Sequence, residues 1–333
     1  MPQTVLLTGA TSGLGLACAK YMARFAAKNS GLCLILPCRD VHKGNEVAQA
    51  LRALAPHVPV HIVKMDMCSL ASVREAAAAI LALEVPPIDV LLLNAGIQFA
   101  NAGNRTDDGI EMTFAVNHLA NFLLANLLVG HLADPARIIF TASGTHDPAQ
   151  NTSMPEPHFL NAEMAAFPDH DKMLPLESTL KAGQRRYTTS KLCNVLCAYE
   201  MARRVEQARE GGVGGDVHVA AFDPGMMPGT GLARDYGALL RFAWKLILPL
   251  LVPFGRRMNS PAKSGEALAK LALDPAIEIQ NRYFVGLKPE KSSDKSYDRR
   301  AQADLWAVSE RLCFLSVRES PLCGPQWRGI YQS

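Results

Sequence analysis

Short apolar runs alternate with longer Ala- and Leu-rich segments along most of the chain. The apolar runs have the length of β-strands, and the segments between them are long enough for α-helices. Strand–helix alternation predicts a parallel sheet covered by helices on both faces, which is a doubly wound α/β fold. The predicted strands span 5–7, 32–36, 60–63, 90–93, 138–141 and 217–222, and the predicted helices span 14–28, 43–54, 71–83, 111–132 and 187–209.

The composition excludes two classes of protein. Of the 333 residues, 49% are hydrophobic and 20% are charged, which is typical of a globular protein and not of a disordered one. We predict a single domain over 1–333. The net charge of +3 is small and spread along the sequence, so nucleic acid is not an expected partner.

The eight cysteines are scattered, and they show neither a disulfide framework nor the spacing of a metal site. The nine histidines add no ligand pattern. We therefore expect reduced structural thiols, no bound metal and a reducing compartment. The N-terminal MPQTVLLTGA lacks the basic and apolar regions of a secretory signal, so the expected location is the cytoplasm.

Two stretches interrupt the alternation. Residues 144–186 contain five prolines and little periodicity, which predicts a long insertion loop that is either functional or disordered. Residues 226–260 include an apolar run that Arg241, Lys245 and two prolines interrupt, which excludes a transmembrane span. We interpret this second stretch as a substrate lid, a dimer face or, through 238–255, a contact with a membrane surface.

The first predicted strand leads directly into a glycine-rich turn, TGATSGLG, which opens an Ala-rich helix. Gly9 allows a tight turn, Gly13 allows the backbone to approach a pyrophosphate, and Gly15 allows the helix to pack on the strand. The N-terminus of the helix offers free N–H groups and the positive end of its dipole to a phosphate. Strand, turn and helix together predict a dinucleotide site. The other turn residues assigned to this site are Thr11, Ser12 and Leu14.

The residue that closes the second strand faces the adenosine ribose in this kind of fold. An acidic residue there favours a free 2′-hydroxyl, and an arginine favours a 2′-phosphate. Arg39 comes before Asp40, and Lys43 follows, so the sequence favours NADP(H) over NAD(H). The alternative is a solvated Arg39 and a helix-capping Asp40. Asp66, after the third strand, is interpreted as an adenine contact or as the cap of the next helix.

Tyr187 and Lys191 are spaced i, i+4, which places them on one face of a helix. An unperturbed tyrosine titrates at about pH 10, too high for efficient proton exchange at neutral pH. A lysine ammonium at close range favours the phenolate and lowers the pKa of the phenol. Such a pair can donate a proton to a carbonyl oxygen or remove one from an alcohol. The same spacing is common and mostly structural when it stands alone.

The motifs around this pair give it significance. TGATSGLG, LNAG, FAVNHLANFLL, IIFTAS, YTTSK and DPGMMPGT occur in this order along the chain. On these six motifs the chain resembles the short-chain dehydrogenase/reductase family over at least residues 4–230. The resemblance implies a Rossmann-like domain and an NADP-dependent oxidoreductase.

The resemblance also implies a role for each matching residue. Tyr187 is the expected general acid/base, and Lys191 is expected to lower its pKa and to bind the nicotinamide ribose. Ser143 is expected to bond the substrate oxygen, and Asn117 to hold a water that links Lys191 to solvent. Taken singly, Ser143 would be a strand-end hydroxyl and Asn117 a buried amide that bonds backbone. Asp223 precedes the Pro-Gly pair, where many relatives carry another residue, so its role is open. The remaining cofactor contacts are expected at Met67, Asn94, Ala95, Gly96, Pro224, Gly225 and Thr230.

Three features, CRD, NHL followed by FLL, and KLCN, resemble the subgroup that contains retinol dehydrogenases and light-dependent protochlorophyllide reductases. The long insertion and the tail WAVSE are similar to the protochlorophyllide enzymes. Those enzymes carry a cysteine just after the Pro-Gly pair, whereas this chain has Met226, a thioether that cannot donate a proton. The favoured function is therefore hydride transfer to or from a carbonyl or alcohol. Light-dependent reduction of a C=C bond and a catalytically silent NADP-binding scaffold are the alternatives.

The expected substrate depends on apolar side chains in the two interrupting stretches. Flexible methionine and aromatic surfaces are suited to large ligands, so we expect a bulky apolar small molecule. The alternative is that these side chains cover one another as a satellite core. They are Met154, Phe159, Met164, Phe167 and Met173 in the insertion, and Met226, Met227, Leu232, Tyr236, Phe242 and Trp244 in the later stretch.

Overall fold

The computed structural model describes residues 3–29, 31–227 and 258–324. Nearly all of the predicted lid, with the apolar run 238–255, lies outside the described residues. The same holds for one predicted cofactor contact and four predicted lining residues, which are Thr230, Leu232, Tyr236, Phe242 and Trp244.

Within the described residues, eight strands form one sheet in the order β3-β2-β1-β4-β5-β6-β7-β8. Neighbouring strands are parallel except for β7 and β8. The strand order reverses between β1 and β4, which is where open α/β sheets form their ligand crevice. The strands are β1 (Gln3–Leu7), β2 (Leu32–Cys38), β3 (Val60–Lys64), β4 (Ile88–Leu93), β5 (Leu132–Thr141), β6 (Val217–Asp223), β7 (Arg282–Val285) and β8 (Lys288–Glu290).

Helices cover both faces of this sheet, which confirms the doubly wound α/β fold. Most begin at a serine or aspartate whose side chain accepts a hydrogen bond from the first turn, as N-capping requires. The helices are α1 (Gly13–Asn29), α2 (Val41–Leu54), α3 (Leu70–Leu81), α4 (Met112–His131), α5 (Ala162–Ala166), α6 (Thr179–Glu210), α7 (Pro261–Leu273) and α8 (Arg299–Leu312).

Two hydrophobic cores lie on the two faces of the sheet. One is formed by α3, α4, α6 and α8, and the other by α1, α2 and α7. In the second core α7 packs tightly on α1, because a Cβ atom at Gly265 would lie 2.7 Å from the backbone of Ala17. Helix α4 is long and apolar enough to cross a membrane, but 89% of its apolar window is buried inside the protein. It is the central helix of the first core.

The insertion differs from the predicted loop. Helix α6 begins at Thr179 and not at 187, because Ser178 caps it and the backbone of Gly183 lies against the loop after β4. A Cβ atom at Gly183 would lie 2.5 Å from the carbonyl oxygen of Phe99. The rest of 144–186 contains α5 and three short 3₁₀ turns. Proline and short polar residues interrupt the apolar periodicity of these brief elements, so the sequence pattern does not predict them.

Candidate active site

The glycine-rich turn after β1 has the close approaches that a dinucleotide cradle needs. Gly9 and Gly13 have φ angles of +72° and +54°, a region that favours glycine. A Cβ atom at Gly15 would lie 2.4 Å from the carbonyl oxygen of Gly9. Thr11 and Ser12 lie just before α1, whose first N–H groups are available to a phosphate, while Leu14 is buried in the core.

The turn after β4 is bonded to the turn after β1. The backbone N–H groups of Asn94 and Ala95 both donate to Thr8 Oγ1 at 2.9 Å. Asn94 Nδ2 also donates to the carbonyl oxygen of Thr8 at 2.9 Å. Two of the expected cofactor contacts, Asn94 and Ala95, therefore lie directly beside the glycine-rich turn. Thr8, which sequence reasoning did not assign, is the residue that holds the two turns together.

The end of β2 presents positive charge. Arg39 and Lys43 are exposed, and Lys64 Nζ donates to the backbone carbonyl of Arg39. Asp40 caps α2 by accepting from the N–H of Lys43 at 3.1 Å. That backbone hydrogen bond holds the pKa of the Asp40 carboxyl below its usual range. The acidic side chain is thus engaged by the helix, as the capping alternative predicts.

Asp66 is half-buried after β3 and does not cap α3. Its Oδ1 accepts from the N–H of Cys68 at 3.0 Å, and Ser69 is the residue that caps the helix. The helix-cap interpretation of Asp66 is therefore wrong, because the chain makes a further turn before α3 begins. Met67 is buried and packs into the core.

Lys191 lies deep in the protein beside Tyr187. Its Nζ donates to the carbonyl oxygen of Thr141 at 3.0 Å and lies 5.6 Å from the centre of the Tyr187 ring. Burial lowers the pKa of Lys191 to about 8, and the negative charge of Asp223 opposes this shift. Tyr187 is 6% exposed. The helical spacing therefore brings the phenol and the amine together in a buried site.

Asn117 lies in a π-helical turn, Ala115–Leu119, a type of distortion that is frequent at functional sites. Its Nδ2 donates to the carbonyl of Ile97 and to Ser190 Oγ, both at 2.9 Å, and its Oδ1 accepts from the N–H of Ile97 at 2.7 Å. In this structure Asn117 is thus a buried amide that joins α4, the loop after β4 and α6. A Cβ atom at Gly96 would lie 3.2 Å from Asn117 Oδ1 and 3.5 Å from Lys191 Nζ.

Ser143 follows β5 and opens a short turn. Its Oγ accepts from Thr145 Oγ1 at 3.1 Å, while its carbonyl oxygen lies 2.7 Å from Nδ1 of the buried His146. A cavity of about 120 Å³ begins beside this turn. Its lining is mostly polar, and consists of Thr145, Asp147, Pro148, Asn151, Thr152, Met154, Pro155 and Glu156.

The turn after β6 contains two of the expected cofactor contacts, Pro224 and Gly225. Gly225 has a φ angle of +75° and its N–H donates to Asp223 Oδ1 at 2.8 Å. The carbonyl oxygen of Pro224 accepts from Ser264 Oγ at 2.6 Å, so α7 holds this turn. Met226 forms a single bridge with Met258. The described residues end at Met227 and resume at Met258, and this bridge places both ends beside the same turn.

The apolar side chains of the insertion do not form one surface. Phe159 and Phe167 pack against the core, which fits the satellite-core alternative. Met164 lines a small cavity beside Ser190, and Met173 is 70% exposed. Over the described ranges, no group of three or more His, Cys, Asp or Glu side chains is placed to hold a metal ion.

The sequence of this chain is similar to those of known proteins over most of their length. The sequence profile of the short chain dehydrogenase family matches residues 3–154. Retinol dehydrogenase 13 of Homo sapiens is 33% identical over 327 residues, which cover 96% of this chain and 88% of that protein. The chain belongs to the short-chain dehydrogenase/reductase family. This membership confirms that the chain is an oxidoreductase that uses a nicotinamide dinucleotide. The glycine-rich turn after β1 fits such a group.

Two further comparisons concern an enzyme of this family and a solved structure. The chloroplastic protochlorophyllide reductase of Daucus carota is 29% identical over 332 residues, which cover 94% of this chain and 78% of that protein. The similarity to retinol dehydrogenases and to this enzyme confirms the predicted subgroup. A solved structure of a putative uncharacterized protein from Mycobacterium paratuberculosis has a TM-score of 0.63 at 27% identity, covering 94% of this chain and 96% of that one.

Several residues that support the site through hydrogen bonds were not predicted from the sequence. Thr141 supplies the carbonyl that receives Lys191, and His146 supports the turn of Ser143. Tyr283, on β7, donates to Asp223. The position of Thr141 at the end of a predicted strand was a usable signal, because the carboxyl ends of parallel strands meet at one edge. Nothing in the sequence near Tyr283 indicated its contact.

Proposed function

We propose that the chain is an NADPH-dependent oxidoreductase that transfers hydride to or from a carbonyl or alcohol on a bulky apolar small molecule. Tyr187 is the general acid/base. The observation that carries the proposal is the buried Lys191 amine beside the Tyr187 ring, at the edge of the sheet that also carries the glycine-rich turn. A relative named retinol dehydrogenase 13 supports this chemistry.

The side chains divide the work of such a reaction among them. When bound, the nicotinamide supplies or accepts the hydride. Tyr187 gives a proton to the substrate oxygen in reduction and takes one in oxidation. Lys191, held on the Thr141 carbonyl, favours the phenolate by its charge. Ser143 Oγ donates to the substrate oxygen as negative charge develops on it.

The preference for NADPH is supported by the charges around β2. The 2′-phosphate needs cationic side chains, and Arg39 and Lys43 are both exposed at the end of the strand. The nearby acidic side chain, Asp40, is already bonded to the N-terminus of α2. It is therefore less available to a free 2′-hydroxyl than an uncommitted carboxylate would be.

A second candidate function is light-dependent reduction of a C=C bond. The 29% identity to a protochlorophyllide reductase over 94% of the chain favours it. Met226, which follows the Pro-Gly pair and is 43% exposed, counts against it because a thioether cannot protonate carbon. Illumination distinguishes the two functions, since carbonyl reduction proceeds in the dark.

The test is consumption of NADPH with a panel of bulky ketones, retinal and protochlorophyllide, each in light and in darkness. We expect dark turnover of a ketone or aldehyde. Tyr187→Phe should abolish that turnover while NADPH affinity, measured by fluorescence, stays within a few-fold of the original. Retained turnover in the variant would show that another group supplies the proton. Turnover that needs light and the tetrapyrrole would establish the second candidate instead.

We also propose that the chain works in the cytoplasm and contacts membrane surfaces through 238–255. The proposal is supported by the apolar and basic character of that run. Flotation with liposomes tests it: the intact chain should float, and a chain in which 238–255 is replaced by a polar linker should stay behind. Equal behaviour of the two proteins would contradict it.

A further inference from the structure

A buried carboxylate without a function in the proposed reaction lies next to the catalytic groups. Asp223 is the last residue of β6 and is 3% exposed. Burying an ionised carboxylate is costly unless opposite charge or hydrogen bonds compensate. A hydrophobic residue would fill the end of this strand without that cost, so the carboxylate needs an explanation.

The backbone places Asp223 close to both Lys191 and Ser143. Thr141 on β5 pairs with Phe222 on β6, and the N–H of Ala142 donates to the carbonyl of Phe222 at 2.7 Å. Asp223 is thus one residue beyond the partner of the carbonyl that receives Lys191 Nζ. On the other side, a Cβ atom at Gly144 would lie 3.0 Å from Asp223 Oδ2.

Two uncharged donors among the described residues bond this carboxylate. Oδ1 accepts from the N–H of Gly225 at 2.8 Å, and Oδ2 accepts from Tyr283 Oη at 3.1 Å. Burial and the neighbouring carboxylate raise the pKa of Tyr283 well above its usual value, so this phenol stays neutral. These two contacts orient the carboxylate.

His146 also faces this region without contributing charge. The N–H of Ser293 donates to His146 Nε2 at 3.1 Å, so Nε2 carries no proton. Nδ1 therefore carries the proton and donates to the carbonyl of Ser143. Burial lowers the pKa of His146, which keeps this single neutral tautomer. Asp147 lies farther out, where its carboxylate oxygens accept from the N–H of Ala149 and from Gln150 Nε2.

We propose that Asp223 is the buried counter-charge of Lys191, a positioning residue that keeps this lysine protonated at neutral pH. The inference rests on the proposed function only for its catalytic consequence. Electrostatic attraction across the ends of β5 and β6 stabilises the ammonium, and the charged lysine in turn favours the phenolate of Tyr187.

The physical basis is a balance between burial and attraction. Burial lowers the pKa of Lys191 to about 8 even though Asp223 opposes the shift. When the carboxylate is replaced by an amide, only the burial effect remains, so the pKa falls further. Lys191 is then largely neutral at pH values where the original protein has it charged.

The first experiment is Asp223→Asn, read by proton uptake on unfolding. Asparagine retains an oxygen that can accept from the Gly225 N–H, but it has no charge. The unfolded chain has Lys191 protonated at neutral pH, so unfolding of the variant at pH 7 should take up as much as about one more proton than unfolding of the original. Calorimetry in buffers of different ionisation enthalpy measures this number without any substrate.

The second readout is the pH profile of turnover. In Asp223→Asn, the alkaline limb of kcat/KM for carbonyl reduction should move to lower pH by one unit or more, which is a tenfold or larger change in the acid constant. A purely structural role would lower activity at all pH values and would not move the limb. If the original protein turns over no substrate, the proposed function fails while proton uptake still decides this inference.

Two control variants separate charge from structure. Asp216→Asn removes a half-exposed carboxylate just before the same strand, at its opposite end, and should change neither readout. Tyr283→Phe removes a hydrogen bond to Asp223 but leaves its charge, so its effect on both readouts should be smaller than that of Asp223→Asn. Equal shifts in both variants, or no shift in Asp223→Asn, would overturn the proposal.

A double variant covers the case in which Asp223→Asn folds but is too unstable for these two readouts. If the two groups compensate each other, Lys191→Met added to Asp223→Asn removes an amine that has lost its counter-charge and is costly to bury, whether it stays charged or gives up its proton. The double variant should then have a higher Tm than Asp223→Asn alone. A double variant that is destabilised by the sum of the single effects would show that the two groups do not interact.

Discussion

The two ends of the chain build the site in different ways. The N-terminal part, residues 3–97, forms the nucleotide cradle from turns whose glycines and polar side chains lie together in short motifs. The C-terminal part, residues 258–324, carries none of the six family motifs and yet supports the catalytic helix α6. The first region can be predicted from its sequence, whereas the second is visible only in three dimensions.

Contacts of the C-terminal part with α6 and α4 show how this support works. Trp306 on α8 is 1% exposed and packs edge-on against Phe122 of α4, with ring centres 4.8 Å apart. The Arg204 guanidinium of α6 lies 4.4 Å from the centre of the Trp306 ring, and it also donates to the carbonyl of Leu322. On α4, His118 Nε2 lies 2.8 Å from Ser309 Oγ.

The contrast is one of local shape. Each cradle turn takes its shape from its own glycines, although α7 packs on α1 behind it, whereas the catalytic helix takes its orientation from side chains that are distant in sequence. In the cradle, the shape comes from backbone angles and from short hydrogen bonds between neighbouring turns. In the catalytic part, the orientation of α6 comes from buried side chains that are a hundred residues away in sequence. Three measurements test this contrast.

The largest expected effect is that of Trp306→Ala. Removing a buried tryptophan costs about 3–5 kcal/mol of the free energy of unfolding. Because the lost contacts support α4 and α6, kcat should fall more than NADPH affinity does. Chemical denaturation and NADPH titration measure the two effects.

The matched control is Met22→Ala, a fully buried residue of α1 on the opposite face of the sheet. It should lower stability by about 2–5 kcal/mol while leaving kcat nearly unchanged for the folded fraction. If both variants lost kcat to the same extent at equal stability, the two regions would not differ in their support of catalysis.

The next effect in size concerns Arg39. Arg39→Ala should weaken NADPH binding by about 1.5–3 kcal/mol, roughly ten- to a hundredfold, because it removes a charged donor to the 2′-phosphate. NADH affinity and Tm should hardly change, since Arg39 is exposed and local to the cradle. Fluorescence titrations with both nucleotides check this. Equal losses for the two would mean that Arg39 does not contact the phosphate.

The smallest expected effect is the dependence of the free energy of unfolding on acid pH that the buried His118 causes. Burial lowers the pKa of His118 to about 3, whereas the unfolded value is 6.5. The stability from a neutral His118 is therefore present above pH 6.5 and is lost as the pH falls from 6.5 towards 3. The expected loss is about 1.4 kcal/mol per pH unit for this residue.

The measurement is the free energy of unfolding between pH 7 and pH 5 in the original protein and in His118→Gln. The variant should show a shallower decline, because glutamine can still bond Ser309 but takes up no proton. Parallel declines would show that His118 does not couple the α4–α8 contact to pH.

Much of the fold followed from local pattern. Six strands and five helices were predicted near their observed places, because alternation of apolar runs reports burial in a parallel sheet. The start of α6 was misplaced by eight residues, since Ser178 and the close approach of Gly183 to the loop after β4 decide it. Strands β7 and β8 are short, and α8 presents only a narrow apolar face. The sequence pattern therefore predicts none of these three elements.

The glycine cradle, the pairing of Tyr187 with Lys191 and the family can all be predicted from the sequence. These features depend on backbone angles and helical spacing, which neighbouring residues control. The position of Asp223 near Lys191 and the contact of His146 with the Ser143 turn are visible only in the folded structure. Both depend on which strand ends and loops meet, and burial then sets the charge that each group carries.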